Sequence, residues 1–301
     1  MRFRSLLVIF AAAALALPGA AFGSELIDRN ASNIQLRVSG SGQQALVLYR
    51  VRGRQRHVLA WGAKNAIAPT RARKQVSFRL DYSGGWGTYR KDVWKKFRNH
   101  CRPYDGPRIQ WVYATCKAPD DSYWAVQKWQ RQLPNFGGAS KHMHRVWELR
   151  LSHWSGELPE FVVKLNWTRW GLHRVYDHLF GYLHYQGRPV HGFRSTPGGQ
   201  PLDTFGRNIY VDTFNSRYGE GWKRENSFLT HRGTGVFCYG FYPHGRFPVG
   251  KGERYRATVI GPGVLPDLFW QGDSPGPYNP EADRAMNDEL NALGDPLCKG
   301  R

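Results

Sequence analysis

The run Arg145-Val146-Trp147-Glu148-Leu149-Arg150-Leu151-Ser152-His153-Trp154 alternates with a period of two. In an extended chain Trp147, Leu149 and Leu151 face one way, while Glu148, Arg150 and Ser152 face the other. The same period returns in Phe161, Val163, Leu165 and Trp167, set against Lys164, Asn166 and Thr168. Upstream, Ile34, Leu36 and Val38 alternate, Gly40-Ser41-Gly42 turns the chain, and Ala45–Val51 runs apolar. Val76, Phe78 and Leu80 alternate again before Gly84-Gly85-Trp86-Gly87 breaks the pattern. Val175–Tyr185 and Pro189–Phe193 flank Gln186-Gly187, which predicts a hairpin. Ile109–Cys116, Asn208–Thr213, Gly235–Phe241 and Tyr255–Ile260 supply further strands.

Helix signals are fewer. Arg90–Arg98 reads as a short basic helix. Asp120 or Asp121 caps a predicted helix in which Trp124, Val126, Gln127 and Leu133 approximate helical spacing before Pro134 stops it. Glu281–Leu293 reads as an acidic terminal helix. The fold class is therefore mainly β, a sandwich or jelly-roll-like domain with two or three added helices. One β-rich domain over 24–301 is expected, and the break at Gly84–Gly87 marks the edge of a candidate small N-terminal β sub-structure over 24–83.

The first 23 residues have a different character. Arg2 and Arg4 precede the apolar run Leu6–Leu17, Pro18 ends that run, and Ala21-Phe22-Gly23 places small residues where a signal peptidase reads. The pattern predicts a cleaved signal peptide over 1–23, too short and wrongly flanked for a membrane span. A mature chain from Ser24 would be secreted, either extracellular or wall-associated.

Four cysteines in an exported chain predict two disulfides. Cys101–Cys116 is favoured as a local loop and Cys238–Cys298 as a clamp on the tail. No pair has the tight spacing of a structural zinc site. Beyond the leader, 41 basic side chains face 23 acidic ones, a net charge of +18. Arg50–Arg102 holds fifteen basic residues and only two acids, Asp81 and Asp92. Such a field draws polyanions. Arg50, Arg52, Arg54 and Arg56 fall on one face if their segment is extended.

Seven of the eleven histidines lie between His142 and His191. His142 and His144 have strand spacing for two metal ligands, but no third ligand is implied, and scattered surface histidines are the favoured reading. His178, Phe180, Tyr182 and His184 share a strand face, and with Trp222 nearby they make a candidate sugar platform, although large rings also fill β cores. Asp203, Asp212 and Glu225 are the carboxylates that could serve acid–base work on a glycosidic bond. There is no Gly-x-Ser-x-Gly, Ser-x-x-Lys or His-Glu-x-x-His, no phosphate loop and no dinucleotide fingerprint.

Trp147–Trp154, Pro201–Thr213, Phe237–His244 and Tyr255–Gly263 resemble an uncharacterised family of secreted actinobacterial proteins, a resemblance covering most of Trp124–Trp270. It implies an exported bacterial origin. The family has no assigned activity, so it carries no catalytic residue over.

The expectation is a secreted, disulfide-stabilised basic protein that binds an anionic or carbohydrate polymer at the cell envelope. Arg50, Arg52, Arg54 and Arg56 would supply attraction, and the aromatics from Phe180 to Trp222 contact. Nucleic acid is the less favoured polyanion, and no cofactor is expected. The rival readings are a polysaccharide-cleaving hydrolase using Asp203, Asp212 or Glu225, and a structural envelope protein without a ligand.

Overall fold

A computed structural model describes residues 23–70, 72–132, 145–170, 174–190, 194–195, 201–202, 205, 209–216, 219–224, 236–240 and 252–293. Among the described residues the fold is mainly β, with antiparallel sheets and three helices. The first half contains β1 (Glu25–Arg29), β2 (Ser32–Val38), β3 (Gln44–Val51), β4 (Arg54–Trp61) and β5 (Arg79–Asp81). Two one-turn helices follow, α1 (Trp86–Tyr89) and α2 (Val93–Lys96), and then β6 (Val112–Lys117), β7 (Tyr123–Gln132) and β8 (Arg145–Trp154). One sheet has the order β2-β3-β4-β5 and a second the order β1-β8-β7-β6. Val47, Tyr49, Val58, Phe78, Trp124, Val126, Leu149 and Leu151 form the core between them.

The second half repeats the plan. It contains β9 (Glu160–Trp170), β10 (Arg174–Tyr185), β11 (Arg188–Pro189), β12 (Arg194–Ser195), β13 (Pro201–Leu202), β14 (Tyr210–Ser216) and β15 (Gly219–Arg224). After these come β16 (Val236–Gly240), β17 (Arg254–Val259), β18 (Leu268–Asp273) and α3 (Pro280–Ala292). β10 lies between β9 and β16 and also pairs β11; the other large sheet runs β15-β14-β17-β18, and β12 pairs β13. Val163, Leu179, Leu183, Val211, Tyr255, Ala257 and Val259 fill this second core, together with Ala125 of β7 and Trp154 of β8. The β1-β8-β7-β6 sheet thus contributes to both cores. Within residues 24–83, β1 pairs β8, and β2–β5 pack on the same sheet.

The double burial of β7 explains one correction. Tyr123–Gln132 is a strand, not the helix expected from Trp124 to Leu133. With Trp124 and Val126 in one core and Ala125 in the other, the strand loses the apolar–polar alternation that marks a half-exposed strand. Asp120 and Asp121 form the β6–β7 turn instead of a helix cap: Asp121 has φ 59°, and Asp120 Oδ1 accepts from the Ser122 N–H at 3.3 Å. Arg90–Arg98 also differs from expectation, since only Val93–Lys96 is helical.

Other expectations hold. Gln186 and Gly187 form the β10–β11 hairpin with φ values of 53° and 64°. Asn279 caps α3 by accepting from the Glu281 and Ala282 N–H groups at 3.0 and 3.1 Å. The Cys101–Cys116 disulfide is present. The Cys238–Cys298 pairing depends on Cys298, and the leader expectation on residues 1–22, both outside the described residues. Among the described residues no helix is long and apolar enough to cross a membrane.

Candidate functional site: a basic cleft with an aromatic rim

A cleft of about 650 Å³ opens between the β2–β3 turn and the stretch from Lys91 to His100. Ser39, Gly40 and Gln44 line one wall. Lys91, Lys95, Lys96, Phe97, Arg98 and His100 line the other. This volume lies within the usual range for small-ligand sites.

The second wall is fixed at both ends. The His100 N–H donates to the Val38 carbonyl at 2.8 Å, and Asn99 Oδ1 accepts from the Val38 N–H at 3.1 Å. The Cys101–Cys116 bridge then ties the segment to β6. At the other end, the Trp94 indole stacks on His57 of β4 at 4.5 Å, and the Trp94 backbone N–H donates to the Gly84 carbonyl at 3.0 Å. Gly84 has φ +66°, and a Cβ there would come within 2.2 Å of the His57 ring. Only glycine lets the loop close beneath Trp94.

Asp81 organises the rim. Its carboxylate accepts from the Ser83 hydroxyl and N–H and from the Thr88 N–H, holding the turn that presents Trp86 and Tyr89. Burial alone would raise its pKa, but the hydrogen bonds from Ser83 and Thr88 bring it down to about 2 from 3.8. Its stabilising charge is therefore fully present above pH 4 and lost as pH falls toward 2. Asp81→Asn should cost about 1 kcal/mol of stability at pH 7. The variant should also lose the wild type's weakening between pH 4 and 2, which urea unfolding at the two pH values would show.

Charge in the cleft is one-sided. Asp92 is its one lining acid and is paired with Lys95. Among the described residues no acid pairs with Lys91, Lys96 or Arg98. The one-turn helix that precedes this wall carries two large exposed rings: Trp86 is 56% and Tyr89 40% exposed. Gln44 joins rim to wall, its Nε2 donating to Tyr89 Oη at 3.2 Å. Cations with flat exposed rings can hold an anionic polymer by attraction along the chain and by ring contact.

The residues expected to bind are placed differently. Arg50, Arg52, Arg54 and Arg56 do not share a face, because the chain reverses at Arg52-Gly53, with φ values of 49° and 76°. Arg50 lies opposite Gln55, whereas Arg54 and Arg56 lie opposite Val51 and Tyr49 on the other face. They form a basic hairpin tip, separated from Gln44 by the length of β3, about 23 Å. His178 and Phe180 share a strand face as predicted, but α3 covers it. Phe180 packs on Leu290, and His178 Nδ1 donates to Asn166 Oδ1 at 2.7 Å. Both are buried and cannot serve as a surface platform. Tyr182 and His184 are half-buried; Tyr182 Oη donates to Glu160 at 2.8 Å and its ring lies 4.4 Å from that of His184. Trp222 packs against Phe214, Arg254 and Arg256.

Asp212 is not a free acid. It is fully buried, with Arg224 Nε at 2.5 Å and Arg256 Nη2 at 2.7 Å. Asp203, Glu225, His142 and His144 lie outside the described residues. Among the described residues no group of three His, Cys, Asp or Glu side chains gathers as a metal site.

One polar chain escaped the sequence reading. Ser122 Oγ lies 2.5 Å from Asp120 Oδ1 and 2.8 Å from His153 Nε2, and His153 Nδ1 donates to the Ala63 carbonyl at 2.6 Å. Burial pushes the His153 imidazole down to about 4, against the opposing pull of the Ala63 carbonyl and Asp120. The composition is that of a hydrolytic triad, but Ser122 is fully buried and Trp124 stacks on the imidazole at 3.8 Å. With its hydroxyl shut away from substrate, the chain acts as a cross-link between the β6–β7 turn, β8 and the segment after β4. Its signal, Asp-x-Ser followed by a distant histidine, is too common to be read from sequence. No family model matches the chain, and no curated protein or solved structure matches it either.

Proposed function

We propose that this is an exported protein that binds an anionic polymer of the cell envelope, with a polysaccharide as the favoured class, in the cleft between Ser39–Gln44 and Lys91–His100. The observation that carries the reading is a cleft wall bearing Lys91, Lys96 and Arg98, without acidic partners among the described residues, whose other wall is tied through Gln44 to the exposed Tyr89, with exposed Trp86 on the same one-turn helix. Repeating negative charge would meet the cations, and sugar rings would meet the aromatic faces. The leader composition and the disulfide support a site of action outside the cytoplasm.

Co-sedimentation with purified envelopes and an insoluble anionic polysaccharide, at low and high salt, tests the reading. The Lys91→Ala/Lys96→Ala/Arg98→Ala variant should bind about tenfold more weakly at low salt and show a flatter salt dependence. Trp86→Ala should weaken the part of binding that survives high salt. Neutralising the four arginines from Arg50 to Arg56 should do less than the cleft variant. Unchanged binding in the cleft triple variant, or a larger loss at the hairpin tip, would reject the assignment.

A further inference from the structure

Ser24 is fully buried among charged groups of the central sheet. Its hydroxyl donates to the Asp267 carboxylate, and its carbonyl accepts from Arg150 Nη1 at 2.9 Å. Asp267 also accepts from Trp129 Nε1 at 2.7 Å. Its cation is Arg150, whose Nε is 3.7 Å away, and Arg150 already gives Glu148 two bonds of 2.6 and 3.0 Å. Arg131 and Arg29 reach Glu148 at 3.3 and 3.5 Å from more exposed positions. Two fully buried carboxylates therefore share one fully buried guanidinium, and the shortage falls on Asp267. Burial accordingly drives the Asp267 carboxyl upward despite Arg150. Buried charge of this kind is costly unless it is paired.

Gly23 precedes this residue and lies hard against Gly261. A Cβ on Gly23 would stand 1.6 Å from the Gly261 carbonyl oxygen. The same residue occupies the small-residue position before the expected leader cleavage. Removing it would free space beside a carbonyl acceptor, next to Asp267.

We propose that the Gly23–Ser24 bond is a processing site, and that the Ser24 ammonium made there becomes a structural cation paired with Asp267. Water adds across the amide under a leader peptidase, giving the Gly23 carboxylate, which departs with the leader, and the Ser24 amine, which takes up a proton. A serine Oγ stays within about 4 Å of its own nitrogen in every staggered rotamer. The ammonium is thus within reach of the carboxylate that the hydroxyl already touches, with the Gly261 carbonyl as a second acceptor. Cleavage would then complete the buried charge cluster as well as release the chain. The inference rests on the export part of the proposed function and not on polymer binding.

The full chain would be expressed in a bacterial host that exports it, and the secreted protein analysed by intact mass and by amine labelling at neutral pH with peptide mapping. The mass should start at Ser24. Its amine should label at least about tenfold more slowly in the native protein than in urea, because reaction requires opening of the cluster. Asp267→Asn should bring the native rate toward the unfolded one. A chain that keeps residues 1–23 overturns both the export reading and this inference. A chain cut at Ser24 whose amine labels as fast natively as in urea overturns this inference alone, as does cleavage at another bond. If Asp267→Asn does not accumulate, the wild-type ratio of native to unfolded labelling decides.

Discussion

Arg150→Met is expected to remove about 3–5 kcal/mol of folding stability, the range for breaking a buried ion pair from one side. Arg150 is 1% exposed and links three groups: Glu148 through Nε and Nη2, the Ser24 carbonyl through Nη1, and Asp267 by proximity. Methionine has similar length and apolar character, so little of the loss would come from a cavity. Most of it would come from leaving Glu148 and Asp267 as buried carboxylates without their shared cation. Arg131→Met is the internal comparison. Arg131 contacts the same Glu148 at 3.3 Å but is 20% exposed, so its loss should stay below about 1 kcal/mol. Urea unfolding followed by tryptophan fluorescence would give both values, with unchanged m-values certifying the comparison. Replacing Glu148 with leucine in the Arg150→Met background should restore part of the loss, since the unpaired anion is then gone. A loss under about 1 kcal/mol for Arg150→Met would mean that water reaches the cluster, which would also weaken the case for a buried ammonium at Ser24.

The same residues show how far sequence could lead. The alternation in Trp147–Ser152 placed Leu149 and Leu151 on one face and Glu148, Arg150 and Ser152 on the other, as observed. Periodicity does not say whether the second face meets solvent. Here it meets further protein, so the polar face is buried and Trp147, on the apolar side, is 45% exposed. β7 failed for the same reason, because burial on both faces erases the polarity contrast that identifies a strand. The hairpin at Gln186-Gly187 was legible through its glycine. The one at Arg52-Gly53, where φ is 49° and 76°, was hidden by reading four evenly spaced arginines as extended, because arginine is not a residue that announces a positive φ.

The cleft was legible only as a charge excess. Arg50–Arg102 announced itself as basic, but two distant segments, Ser39–Gln44 and Lys91–His100, build the walls. Their meeting depends on hydrogen bonds from Val38 and His100 and on the Asp81 turn, none of which has a sequence period. The aromatic platform failed for the opposite reason. His178, Phe180, Tyr182 and His184 do share a face, but an acidic helix more than a hundred residues later lies over part of it.

That covering helix gives His178 a strong pH signature. Its Nδ1 donates to Asn166 Oδ1 at 2.7 Å, and Asn166 Nδ2 donates to Asn287 Oδ1 of α3 at 3.1 Å, so the neutral imidazole belongs to a chain joining sheet and helix. Burial pushes its pKa from 6.5 to about 4. The unfolded chain then binds a proton at pH values where the folded chain does not. Stability is complete above the unfolded value and falls as pH drops from 6.5 toward 4. At pH 5 the loss attributable to this group is about 2 kcal/mol. His153, also lowered to about 4, adds a loss of the same sign. Asp81 contributes only at lower pH, because its window runs from 3.8 to about 2. His178→Gln keeps a side-chain amide that can donate to Asn166 but has no proton to gain in this range. Urea midpoints at pH 7.5 and 5 should therefore converge in the variant by about half of the wild-type difference, the His153 share remaining. An equal acid loss in wild type and variant would show that the unfolded and folded chains protonate His178 alike, and hence that α3 does not seal it from water.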